Sequence, residues 1–203
     1  MTAKRVSVWI LGEQLLARHP AISAAERECS RENLCILMIE SAERSRRLCY
    51  QRKKLVLLFS AMRHYAASLR QKSYTVDYIQ APCFVYGLRR HVGTQRPDRL
   101  FVMEASEWTA RTFQHTRLAE AISTPVSVLA NVQFLVGQYD PFLDLEETTR
   151  TVMEHFYRRM RRQFDVLMTE SGAPVGDRWN YDSENRRALP SGVEPPPVAV
   201  FDP

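Results

Sequence analysis

The chain lacks most of the signatures that declare a function outright. Its four cysteines, Cys29, Cys35, Cys49 and Cys83, form no C-x-x-C pair. Each lies in a stretch that otherwise reads as strand or helix, so reduced thiols fit better than a metal site or a disulfide framework. Neither G-x-G-x-x-G nor G-x-x-x-x-G-K-[ST] occurs, which removes the common phosphate-cradling loops. His19, His64, His91, His115 and His155 are scattered, without the i,i+4 pair or Cys/His cluster that a metal requires, and each reads as solvent-exposed or hydrogen-bonded. No G-x-S-x-G elbow is present, which argues against a serine hydrolase. No apolar run approaches the roughly 18 residues of a membrane span. The apolar start is too short for a signal-peptide core and meets Gly-Glu-Gln instead of a cleavage site; these features predict a cytoplasmic address and no membrane partner.

What remains is the balance of an ordinary globular chain, with 203 residues, 45% hydrophobic and 25% charged. That length suits one well-buried domain, or a domain with an appendage. The net charge of +5 is clustered, in RSRR (44–47), RKK (52–54) and RRMRR (158–162). Such clusters suit an acidic partner such as nucleic acid, but many are simply the solvated face of a helix.

Apolar, β-branched runs at Val6–Leu11 and Leu34–Ile39 have the unbroken pattern of strands covered on both faces. Further strands are predicted at Val76–Ile79, Arg99–Met103 and Val126–Leu129. Between the first two, residues 13–33 show only a poorly defined helix or loop. Leu55, Leu58, Phe59, Met62, Tyr65, Ala66 and Leu69 recur at helical spacing and predict a helix over Tyr50–Gln71. A short helix ending at Gly93, one over Glu107–Ile122 and a long amphipathic one over Leu145–Met168 follow. Alternating strands and helices predict a Rossmann-like α/β fold, a doubly wound parallel five-stranded sheet with helices on both faces. Past Gly172, Pro174, Gly176, Pro190 and EPPP (194–197) have the composition of an extended C-terminal linker. The expected division is residues 1–172 and 173–203.

In an open α/β sheet, ligands bind beyond the carboxyl ends of the strands, where strand order reverses. That rule selects Gly12, Glu13 and Gln14 after the first strand, Glu40 and Ser41 after the second, and Glu104, Ser106 and Glu107 after the fourth. Carboxylates there suit hydroxyl or ring N–H donors better than phosphate. They can equally cap the helices that follow.

Five stretches then carry a resemblance: WILGEQL (9–15), MIES (38–41), KLVLLFSAMRHYAASLR (54–70), EHFYRRMRR (154–162) and PVGDRWNYDSENRR (174–187). In this order, across nearly the whole chain, they resemble the amino-terminal part of the deoxyribodipyrimidine photolyase-related proteins, the iron–sulfur bacterial cryptochromes and photolyases. The resemblance implies an amino-terminal α/β domain of a protein for light-driven DNA repair or blue-light sensing, able to hold a lumazine-type antenna chromophore. FAD and an iron–sulfur cluster would belong to a larger helical domain absent from this chain. The partners implied are that C-terminal FAD-binding domain, on the same or a separate chain, and DNA; the expected chain is catalytically incomplete alone. Carried over, the antenna pocket would use Gly12, Glu13, Glu40, Leu58, Ser106 and Glu107, with Glu13 where the family pattern has aspartate and Ser106 where some members have glycine. The competing expectation is a chromophore-free module that packs on a flavin domain and contributes basic surface to DNA. In the tail, Trp179 and Tyr181 bring apolar faces that gain by burial, and Asn180, Asp182 and Asn185 favour side-chain-to-backbone turns.

Overall fold

Strand β1 (Val6–Ile10) is buried at every position and lies at the centre of the sheet. A computed structural model describes residues 3–137, 139, 142, 152–182, 187–194, 196 and 197. Strands β2 (Leu34–Ser41), β3 (Thr75–Ala81), β4 (Arg99–Met103) and β5 (Val126–Leu129) complete a five-stranded parallel sheet of order β3-β2-β1-β4-β5. The order reverses between β1 and its neighbour β4. Val6 faces Leu34 on one side and Arg99 on the other.

Because strand side chains alternate between faces, β1 feeds two cores. Val6, Val8 and Ile10 join Ile36, Met38 and Phe101 under helices α1 (Pro20–Ala25) and α3 (Arg52–Gln71). Trp9 and Leu11 join Leu37, Ile39, Leu100 and Val102 under α4 (Phe84–Gln95) and α6 (Leu118–Ile122). The doubly wound α/β sheet expected from the alternation is present. A Cβ on Gly87 would lie 3.0 Å from two Ile39 methyls and 3.3 Å from Ala81, so glycine there permits the close approach of α4 to the sheet.

Several boundaries differ from the expected ones. Residues 13–33 contain α1 and a 3-10 turn at Arg31–Asn33. Helix α1 is capped by His19, whose Nδ1 accepts the Ala21 amide at 3.2 Å; sequence patterns favour Ser, Thr, Asp or Asn for that duty. Short α2 (Ala42–Arg46) follows β2. Helix α4 passes through Gly93 and stops at Arg96, which takes the left-handed conformation and returns its amide to Val92. The helix expected over 107–122 breaks at Arg117 into α5 (Trp108–Thr116) and α6.

The chain forms two compact units, Met1–Gln138 and Tyr139–Pro203. This differs from the division at 172, because α7 (Met153–Gln163) shares a unit with the tail. The expected helix over 145–168 falls partly outside the described residues (145–151) and ends early, since Asp165 and Leu167 adopt positive φ. Arg161 explains that exit: buried, it donates from Nε to Val166 O at 2.9 Å, from Nη2 to Leu167 O and from Nη1 to the Tyr157 hydroxyl. Met168 and Pro174 form an antiparallel bridge. Trp179 then lies under the guanidiniums of Arg158, Arg161 and Arg162, at 5.3, 5.2 and 4.8 Å from its ring centre. Asn180 turns the chain by accepting the Asp182 amide at 2.7 Å, Tyr181 stays exposed, and Asn185 lies outside the described residues.

The His19 cap should titrate. Burial lowers its imidazole from 6.5 to about 4, so between those values the unfolded chain binds the proton and the native one does not. Its contribution is fully present above pH 6.5 and is lost as pH falls towards 4, a loss on the order of 3 kcal/mol. Urea midpoints should therefore fall more steeply over that window in the wild type than in His19→Asn, which can cap without titrating; parallel curves would contradict the assignment. For the tail, Trp179→Ala should make tryptic cleavage after Arg178 severalfold faster in a limited digest, whereas unchanged cleavage would mean that the arginine stack does not hold it.

Candidate functional site

The carboxyl ends of β1 and β4 meet where strand order reverses, and three side-chain amides tie their loops together. Gln14, fully buried, donates from Nε2 to Glu104 O at 2.9 Å and to Met103 O at 3.4 Å. Asn131, just after β5, donates to Glu104 O at 2.9 Å and to Ser106 Oγ at 3.2 Å. Gln133 reaches back to Glu13 O at 2.7 Å. Behind them, buried Gln114 accepts the Ala105 amide at 2.8 Å and donates to Met103 O at 3.2 Å, which shapes the loop after β4. Gln14 and Gln133 each spend their nitrogen on a carbonyl, so their oxygens are the acceptors left over. Both oxygens are buried, and neither has a partner among the described residues. A buried acceptor without a donor costs about 1–3 kcal/mol, so such groups are usually matched by water or a ligand.

Three of the four expected carboxylates, Glu40, Glu104 and Glu107, are engaged by protein donors. Glu40 accepts from Arg63 at 2.8 and 3.1 Å, from the Tyr78 hydroxyl at 2.5 Å and from Gln80 at 3.1 Å. Desolvation works to raise its carboxyl, but these donors outweigh it and hold the group below the usual carboxylate range. Glu107 pairs with Arg44 at 2.6 Å and Arg47 at 2.9 Å. There too desolvation opposes the guanidiniums, and the guanidiniums prevail. Glu104 meets His115 at 2.8 Å and Arg111 at 3.8 Å. Of the two readings open for these residues, capping applies to Ser41, whose Oγ accepts the Arg44 amide at the start of α2. Glu107 precedes α5 without a side-chain cap. Glu13 is exposed, and Leu58 packs against Gly12 on the α3 side. Trp108 is 76% exposed and takes no part in either core.

Asn131 and Gln133 were not among the expected residues, although the carboxyl-end rule applied to β5 selects them. Arg44 and Arg47 fall in a segment whose charge pattern alone does not assign a partner. A buried line, Ser7 Oγ to His91 Nε2 at 2.8 Å and His91 Nδ1 to Asp77 at 2.7 Å, was invisible because the three residues are far apart in sequence. It has the order of a hydrolytic triad, but Ser7 in β1 and His91 on α4 are both fully buried. Asp77 accepts from Nδ1–H, Ser7 donates to Nε2, and burial lowers the imidazole and favours this neutral form. The four cysteines are free thiols; Cys35 is buried, and desolvation followed by the nearby Asp77 pushes it up to about 11. Among the described residues no cluster of three His, Cys, Asp or Glu could hold a metal, and no helix is long and apolar enough to cross a membrane.

Two concavities of the first unit lie away from the loops after β1 and β4. One, of about 560 Å³, includes Arg63, Arg70, Tyr78, Gln80 and Arg90 in its lining. The other, of about 260 Å³, lies near the start of the strands and includes Ser7, Cys35 and Thr75.

The profile of the family described as deoxyribodipyrimidine photo-lyase-related protein matches residues 8–203. A (6-4) photolyase from Agrobacterium fabrum is 32% identical over 97% of this chain, which spans 39% of that relative's length. An uncharacterized protein of Acanthamoeba polyphaga mimivirus is 24% identical over 75% of this chain and 79% of its own.

Gly12 supports the turn after β1 by its size. A Cβ there would lie 2.8 Å from Met62 Sδ and 3.4 Å from Leu58 Cδ1, and Met62 is itself buried. Gly12→Ala should therefore cost about 1–3 kcal/mol through overpacking, visible as a lower urea midpoint; an unchanged midpoint would show that Met62 slides aside freely.

Proposed function

The chain belongs to the deoxyribodipyrimidine photo-lyase-related proteins, and we propose that it serves in this family as an amino-terminal domain holding an antenna chromophore of lumazine type. The observation that carries the reading is the pair of buried amide oxygens, Gln14 Oε1 and Gln133 Oε1, left without donors on the two loops tied across the strand-order reversal. Lumazine rings and ribityl chains offer N–H and O–H donors to such acceptors. When bound, the chromophore would absorb near-ultraviolet or blue light and pass excitation to a flavin held elsewhere. The work of this chain is then orientation. Gln14, held by two carbonyls, and Gln133, held by one, present fixed acceptors, while Ser106 Oγ adds a hydroxyl held by Asn131. No side chain of the domain needs to exchange a proton or form a bond. The flavin domain and DNA are the partners proposed with this role, in light-driven repair or blue-light sensing.

One observation favours a second reading. Glu40, Glu104 and Glu107 are each paired with arginine, as in a chromophore-free domain that docks on a flavin domain and adds basic surface to DNA.

Titrating the purified chain with a ribityl lumazine separates the two. The antenna reading expects a shifted near-ultraviolet or blue band, a higher melting temperature, and about tenfold weaker binding in Gln14→Ala or Gln133→Ala, consistent with loss of one hydrogen bond. No spectral change and no stabilisation would sink it in favour of the docking module.

A further inference from the structure

The larger concavity is an open groove over β3, one of the two edge strands of the sheet. Helix α3 supplies Arg63 and Arg70 to one wall, and α4 supplies Arg90 to the other. Half-buried Tyr78 lies between them, with Ala66 and Ile79 buried beneath in the two cores. Charge alone would guard an edge strand against pairing with another chain. What points further is how the guanidiniums are held. Arg63 spends Nε and Nη2 on Glu40, and Arg70 spends Nη2 on Val76 O at 3.0 Å. A guanidinium carries five N–H donors, so both are fixed in orientation with donors to spare. Arg90, exposed, has no side-chain hydrogen bond or ion pair among the described residues. Among the described residues Glu40 is the single carboxylate bonded to the groove's arginines, against three guanidiniums, so the groove carries an excess of positive charge. Its volume of about 560 Å³ is that of a small-molecule site, typically about 300–1,000 Å³.

We propose that this groove binds a small organic phosphate of mononucleotide size. The phosphate is held by the unspent N–H groups of Arg63, Arg70 and Arg90, and its body rests against the half-buried ring of Tyr78. Planar guanidiniums with fixed forks are the side chains best matched to phosphate oxygens. Glu40, a strand-end residue, holds Arg63, but the groove uses none of Gln14, Gln133 and Ser106, on which the antenna reading rests, so either can fail alone.

Isothermal titration of the full chain with pyrophosphate, AMP and adenosine, and separately with a short DNA duplex, tests it at low salt. Pyrophosphate or AMP should bind, adenosine should not, and Arg70→Gln or Arg90→Gln should each weaken binding about tenfold. Both arginines are exposed, and thermal melts matching the wild type would show that the variants fold. Absence of pyrophosphate and AMP binding, or binding unaffected by either substitution, overturns the proposal. Binding of the duplex alone also overturns it, in favour of a nucleic-acid surface.

Discussion

Everything in the first unit depends on covering β1 from both sides. A parallel strand with neighbours on both edges and helices on both faces offers no exposed position, and all five residues of β1 are buried. Polar chemistry is thereby driven to the strand ends, where loops leave the sheet. The single polar residue within β1 shows what an exception requires. Ser7 is tolerated because His91 descends from α4 to accept its hydroxyl, and Asp77 fixes the tautomer of His91 from the next strand but one. Three residues that resemble catalytic machinery are in fact the condition for placing one hydroxyl in a core, since an unpartnered buried hydroxyl is costly.

At the carboxyl ends the division of labour is between amides and charges. The amides of Gln14, Asn131 and Gln133 reach across the strand-order reversal to backbone carbonyls, which fixes the loops by geometry and is insensitive to salt. The ion pairs lie outside them. Arg44 and Arg47 flank Glu107 with side chains 41% and 54% exposed, where such pairs contribute about 0–1 kcal/mol each. The loops therefore owe their position to the amides, and the carboxylates tune the field around them.

The sheet was legible because continuous apolar runs such as Leu34–Ile39 leave little choice but a buried strand, and α3 was legible because its stripe from Leu55 to Leu69 keeps the helical period through most of the 20-residue helix. Helix ends were not, because they depend on local backbone conformation. Gly93 is the conventional stop in α4, yet Arg96 adopts the left-handed turn. In the second unit, the apolar rhythm runs on from Phe164 to Leu167 while the helix has already ended, because the Arg161 guanidinium takes the carbonyls of Val166 and Leu167. Of the candidate site, the strand-end rule placed Gln14, Ser106 and their neighbours. It could not reveal which donors each carboxylate finds, because Glu40 and Arg63 or Glu107 and Arg47 meet only through the fold.

The tail shows why a charge run cannot be read from its sign alone. Arg158, Arg161 and Arg162 all place a guanidinium over Trp179, but stacking uses the face of that group and leaves its edge for hydrogen bonds. Arg161 spends its edge on Val166, Leu167 and Tyr157, and Arg158 spends part of its own on Glu154 at 2.8 Å. Arg162 lies over the same ring with no side-chain hydrogen bond among the described residues. One indole thus sorts neighbouring arginines into a structural pivot, a helix-surface pair and a cation whose edge is left to solvent. The polar segment around Trp179 is held by those guanidinium faces, so the aromatic residue organises the basic helix as much as the helix secures the tail.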